Sequence, residues 1–250
     1  MGESIVSFKE MMARQPRFLV YNEQELALGC ASYMADGINK AVGERGRACV
    51  ALSGGGTPRA TLEALATKGV DWANLWIFFV DERSVPPTHA DSNYRMVKEA
   101  LLDRVPIPEA QVFRMMGELG AQEAAREYVN KLEACFGSGT PRFDMVQLGM
   151  GDDGHTASLF PHTAGLDEEA AAAIANHVPQ KDTWRISLSK TAINAATDVF
   201  FLIAGRGKAE VLRQVLEGEY DPRKLPSQLI NPPTGLTFIL DRGAAASIIL

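Results

Sequence analysis

Apolar runs of strand length recur along this chain, separated by segments in which apolar residues return every three or four positions. Strands are predicted at residues 18–21, 48–53, 75–80, 112–115, 143–149, 185–188, 199–204 and 236–240. Several of these runs are apolar throughout instead of alternating, as in strands covered on both faces. Helices are predicted between them. Residues 23–42 are long and rich in Ala and Leu, and 119–136 set Glu and Arg on one face against Ala125, Tyr128, Val129 and Leu132 on the other. Residues 92–102 begin with the capping residue Ser92 and present Val97, Leu101 and Leu102 at helical spacing, and 208–216 align Val211, Leu212, Val215 and Leu216. This alternation predicts right-handed crossovers and an α/β fold, a doubly wound, mostly parallel sheet flanked by helices. There is no internal repeat and no low-complexity linker, and the segments near Pro106, Pro222 and Pro232 read as surface connections. The 250 residues are therefore expected to form a single domain.

Composition narrows the function classes. Hydrophobic residues are 46% of the chain and charged residues 22%, enough for a large core. The net charge of -6 argues against a nucleic-acid partner, because phosphate backbones reward a basic face. A small anion needs only a local basic pocket. Cys30, Cys49 and Cys135 form no C-x-x-C pair, so they read as reduced thiols and not as a disulfide or zinc framework. With no signal-peptide pattern and no apolar run near the roughly 20 residues of a spanning helix, the expectation is a soluble cytoplasmic protein without a membrane partner.

Four strand ends carry the candidate chemistry, since open α/β sheets bind ligands beyond the carboxyl ends of their strands. Ser53-Gly54-Gly55-Gly56-Thr57-Pro58 joins a strand to the helical segment 59–66; its glycines permit close backbone approach, and the helix start suits a phosphate. A plain tight turn is the alternative. Asp81-Glu82-Arg83 ends the next strand: the two carboxylates are either functional or part of a structural ion pair, whereas Arg83 suits developing negative charge on a substrate. The third segment, Gly149-Met150-Gly151-Asp152-Asp153-Gly154-His155, satisfies G-x-G-x-x-G, yet two carboxylates beside a pyrophosphate and the early Pro161 exclude a dinucleotide site. His155 in this polar loop is a candidate base, with Asp153 placed to orient it or to stabilise its protonated form. Gly205-Arg206-Gly207-Lys208 lacks Walker spacing but offers Lys208 to a phosphate as a point charge, and Arg185 at a strand start is a second phosphate candidate. His162, near Pro161, either lines the site or ends a loop, and the loop is the expectation.

Together these residues resemble the 6-phosphogluconolactonase family over nearly the whole chain. The resemblance rests on residues 53–58, Asp81-Glu82-Arg83-Ser84-Val85-Pro86 with Ser92-Asn93-Tyr94, GMGDDGHTASLFP at 149–161, Arg185-Ile186-Ser187-Leu188, and Gly205-x-x-Lys208. It implies a Rossmann-like fold of the NagB/RpiA/CoA transferase type, related to glucosamine-6-phosphate deaminases. It also implies a pentose-phosphate-pathway enzyme that hydrolyses a phosphorylated sugar lactone without metal or cofactor. By the same resemblance His155 activates water, Arg83 is the active-site arginine, and Gly55, Gly56, Thr57, Arg185 and Lys208 hold the phosphate. Two departures are Gly56, where Ser is commoner, and Ser189, where Thr is commoner. No oligomeric state is implied.

Two rivals remain. A glucosamine-6-phosphate deaminase/isomerase shares the Gly-rich loop, Asp-Gly-His and the Lys, but uses the first Asp of Asp-Glu as its base, carries Tyr at position 83, and has a Glu-bearing segment after Asp-Gly-His. Here that segment reads Thr156-Ala157-Ser158-Leu159-Phe160-Pro161. A non-catalytic sugar-phosphate sensor would keep Arg185 and Lys208 without needing His155, and would usually carry a partner domain.

Overall fold

The computed structural model describes residues 6–249. Along the chain lie α1 (Phe8–Met11), β1 (Arg17–Tyr21), α2 (Glu23–Arg45), β2 (Ala48–Leu52), α3 (Gly56–Leu65), β3 (Leu75–Phe79), β4 (Asp81–Arg83), α4 (Asn93–Ala100) and β5 (Val112–Phe113). They are followed by α5 (Ala121–Phe136), β6 (Met145–Leu148), β7 (Ala173–Val178), β8 (Thr183–Leu188), α6 (Lys190–Asn194), β9 (Asp198–Ile203), α7 (Ala209–Glu217) and β10 (Leu236–Asp241). Seven strands form one sheet in the order β1-β10-β9-β6-β2-β3-β5, and every neighbouring pair is parallel. β2, β6 and β10 are buried along their whole length, which is why their sequences are so nearly apolar. No helix among the described residues is long and apolar enough to cross a membrane. The first five residues, which bear on a leader segment, lie outside the described region.

The departure from expectation is a second, antiparallel sheet of three strands, β4-β8-β7. The strand predicted at 185–188 belongs here and not to the large sheet. Its partners β4 and β7 were not foreseen: one is three charged residues, the other an Ala-rich run containing Asn176 and His177.

Val80 joins the two sheets. Its N–H donates to the Leu52 carbonyl of β2, 2.9 Å, and its own carbonyl accepts from Leu188 N–H of β8, 2.7 Å. Behind it, buried Tyr128 of α5 pins the end of β3, accepting from Phe79 N–H at 2.8 Å and donating to the Phe79 carbonyl at 3.1 Å. These contacts fix where Asp81–Arg83 emerges.

Candidate active site

From β2 the chain moves outward to β3 and β5, then returns to β6 on the other side of β2. Such a reversal opens a crevice at the carboxyl edge between the two strands. The loops after β9, β6 and β2 are neighbours along that edge, and β4 leaves β3 beside them. A cleft of about 170 Å³ lies there, lined by Ser53, Gly54, Asp81, Arg83, Asn93, Gly151 and His155 among others.

His155 is fixed by its own loop. Asp153 Oδ1 accepts from the His155 backbone N–H at 3.1 Å and meets Nδ1 at 2.5 Å. An ionised carboxylate only accepts, so in the neutral imidazole the proton sits on Nδ1 and the lone pair on Nε2. Burial pushes the Asp153 pKa up, but the hydrogen bonds and charge of His155 outweigh it and hold the carboxyl below its ordinary value. The imidazole lies directly against Gly151, where a Cβ would fall 2.0 Å from Nδ1. Any side chain there would displace the ring. Thr156 Oγ1 closes the loop onto the Gly149 carbonyl at 2.8 Å, and Ser227 donates from N–H and Oγ to the Gly154 carbonyl. The loop opens no helix, so the apparent dinucleotide fingerprint has no structural counterpart.

Arg83 shares the cleft with His155, and across the β4–β8 pair its register partner is Arg185. Arg83 Nη1 donates to the Asp91 carbonyl, and among the described residues neither guanidinium is paired with a carboxylate. Burial, and then the neighbouring Arg83, lower the Arg185 pKa. Asp81, Asp91 and Glu82 offset this from a distance, but neither guanidinium is ion-paired, and two adjoining cations of this kind favour an anion between them.

Among the described residues the two carboxylates before Arg83 make hydrogen bonds and no ion pair, which replaces the ion-pair alternative. Asp81 accepts from Asn93 Nδ2 at 3.1 Å and from Ser158 Oγ at 2.7 Å. Glu82 accepts the backbone N–H groups of Arg83, Asn93 and Tyr94 at 2.7–2.8 Å and Ser92 Oγ at 3.0 Å, so it caps α4. Burial raises the Glu82 pKa against those four bonds. The docked helix brings Asn93 Oδ1 to 1.8 Å from where a Cβ on Gly54 would stand, so this turn admits only glycine.

Gly55, Gly56 and Thr57 form the N-terminal end of α3, and Thr57 shares a shallow hollow with Gly205 and Asp241. Asp241 accepts from Gly205 N–H at 2.8 Å, shaping the turn that leads to Lys208. Lys208 Nζ lies 2.5 Å from Asp152 Oδ1. Adjacent aspartates thus engage the two neighbours of the loop, Asp153 the imidazole and Asp152 the lysine.

A larger cavity, about 680 Å³, opens at the opposite edge of the sheet between α2 and the strand starts. Its charges are largely answered internally: Arg45 pairs with Asp144 and Glu44, and Tyr33 donates to Asp198 at 2.7 Å. It contains none of the four motif loops.

The glucosamine-6-phosphate isomerases/6-phosphogluconolactonase family matches residues 21–239. The chain belongs to this family. It is 39% identical over 229 residues to a Synechocystis protein named 6-phosphogluconolactonase, covering 90% of this chain and 93% of that one. It is 40% identical over 211 residues to the Homo sapiens protein of the same name, covering 81% of each. Among solved structures, a 6-phosphogluconolactonase from Trypanosoma cruzi superposes with a TM-score of 0.85 at 27% identity, covering 99% of this chain and all of that one. A monomeric glucosamine-6-phosphate deaminase superposes at 0.75 with 20% identity, a likeness of fold alone.

In this member of the isomerase/lactonase family, the structure gathers His155, Asp153 and Arg83 around one cleft, with Arg185 beside Arg83. Gly55, Gly56 and Thr57 stand at the start of α3, and Lys208 meets the His155 loop through Asp152. His162 lies exposed in a loop with φ 58°, as expected. Ser189, a departure from the family's commoner Thr, caps α6 by accepting from Ala192 N–H. Asp152, Asn93 and Ser158 were not foreseen in these positions. Each acts on a partner 12 or more residues away by sequence, beyond any local pattern.

Proposed function

We propose that this chain hydrolyses 6-phospho-D-glucono-1,5-lactone to 6-phosphogluconate, by water activated at His155. The observation that carries the reading is the Asp153–His155 pair sharing a cleft with Arg83. Its support is the high-coverage similarity to proteins named 6-phosphogluconolactonase. With its proton on Nδ1, the imidazole takes a proton from water through Nε2 as the water oxygen bonds to the lactone C1. The C1 carbonyl electrons move to oxygen, and Arg83 stabilises that oxyanion. Collapse re-forms the carbonyl and breaks the bond from C1 to the ring oxygen, which receives the proton held by His155. The acid so formed ionises at neutral pH. Gly55, Gly56, Thr57, Arg185 and Lys208 are assigned to the phosphate, whose remote binding energy orients the ring. Each step draws only on water and this chain's own groups.

The deaminase reading is disfavoured by Asp81. Each of its carboxylate oxygens is already held, Oδ1 by Asn93 and Oδ2 by Ser158, and position 83 carries Arg where the deaminase pattern carries Tyr. The test offers 6-phosphogluconolactone and glucosamine 6-phosphate separately. Acid release above the spontaneous rate is expected from the first and no ammonia from the second; the reverse result overturns the assignment.

Lys208→Ala is expected to raise KM and weaken 6-phosphogluconate binding about 10- to 100-fold, with kcat changed less, since one charge-assisted contact is worth roughly 1.5–3 kcal/mol. Calorimetry checks this; unchanged affinity removes Lys208 from the phosphate group. All three cysteines are unpaired thiols, in keeping with a cytoplasmic setting. One continuous core running from Phe8 to Ala244 supports a single domain.

A further inference from the structure

A single hydrogen bond to Asp153 leaves the His155 imidazole one rotational freedom, about the axis through that bond. The second constraint comes from five residues downstream. Thr156 and Leu159 pair as an isolated bridge, with Leu159 N–H donating to the Thr156 carbonyl at 2.9 Å, and Ala157 at φ 51° makes the reversal. A non-glycine residue in that region costs backbone energy. The turn it permits returns the chain over its own start. It sets the Phe160 ring 4.0 Å from the His155 ring, centroid to centroid, with 21° between the planes. Phe160 is 3% exposed, and its carbonyl accepts from Thr163 Oγ1 at 2.8 Å, so it is a fixed platform and not a mobile lid.

We propose that Phe160 is a positioning residue for His155. Its ring holds the plane of the imidazole so that Nε2 keeps its aim into the cleft, and its π face favours the imidazolium that forms as water gives up its proton. The inference rests on the reading of His155 as the water-activating base. The charged groups around the imidazole are Asp153 on its own loop and Asp81 and Arg83 lining the cleft from β4. Lys181 Nζ stands 5.8 Å from the Phe160 centroid. Phe160 is the group seen stacked face to face on the ring.

The test compares Phe160→Leu, which keeps apolar bulk and removes the ring, with Phe160→Tyr, which keeps the ring. Phe160→Leu is expected to lower kcat about 3- to 30-fold with KM unchanged. Phe160→Tyr is expected to stay near the parent rate. In the unsubstituted protein the His155 ring protons, assigned by their loss in His155→Gln, are expected at an upfield shift from the Phe160 ring current. Parent kcat in Phe160→Leu, or equal losses in the Leu and Tyr variants, overturns the proposal. Should Phe160→Leu not fold, the absence of an upfield shift in the unsubstituted protein overturns it alone. Full activity in His155→Gln is a different failure, because it removes the base on which the inference rests.

Discussion

His155→Ala is expected to lower kcat for 6-phosphogluconolactone by about 10²- to 10⁴-fold, the usual worth of a positioned general base. Binding of 6-phosphogluconate is expected to survive, because the phosphate-holding groups assigned here lie on the loops after β2 and β9 and on β8. The side chain is only partly exposed and bonds to a residue of its own loop, so its loss should leave the fold intact. Stopped reactions corrected for spontaneous hydrolysis give kcat, and calorimetry gives the affinity. Full activity in this variant would defeat the assignment of the base. A residual rate above the spontaneous one is expected, since Arg83 still faces the oxyanion and the phosphate still orients the ring.

Asp153→Asn should cost nearly as much, about 10²- to 10⁴-fold in kcat, for a different reason. An amide presents a donor as well as an acceptor to Nδ1, and the tautomer with the lone pair on Nε2 loses its anchor. The double variant Asp153→Asn/His155→Ala is expected to be no slower than His155→Ala alone, because the two residues act as one unit. Additive losses would mean that Asp153 has work apart from His155. The same variant has a signature in stability against pH. The Asp153 carboxyl is held below its ordinary value, so the folded state binds its proton less readily than the unfolded chain does. Its contribution is present above the unfolded value and fades as pH falls through the folded one. The gap in thermal midpoint between the parent and Asp153→Asn should therefore be widest near neutrality and close on acidification. A gap that widens in acid contradicts the depressed carboxyl.

The large sheet was legible because burial on both faces writes itself into composition. β2 reads Ala-Cys-Val-Ala-Leu and β9 reads Asp-Val-Phe-Phe-Leu-Ile, and neither needs its neighbours to be recognised. β4 had no such signature. Three charged residues become a strand because β8, about 100 positions later, offers a ladder and because Glu82 finds three backbone N–H groups to accept. β7 was hidden by its alanines, which carry little strand preference until Arg185 and its neighbours pair with them. The site divides the same way. His155 and Asp153 are two residues apart, and their pairing follows from a local turn. The contact of Asp152 with Lys208 spans 56 positions, and the adjacency of Arg83 and Arg185 depends on a strand pairing that no window of sequence displays.

The backbone of Val80 has a consequence for which changes of length this chain can accept. One end of it is bonded into the parallel sheet and the other into the antiparallel one. Along β4 successive side chains point to opposite sides, so Asp81 and Arg83 line the cleft while Glu82 turns toward the start of α4. Adding or deleting one residue between Phe79 and Arg83 would invert that alternation, offering the cleft a glutamate and burying a guanidinium under the helix. Four positions in a row are thus constrained in number as well as in kind, whereas the exposed turn at 137–140 carries no comparable demand.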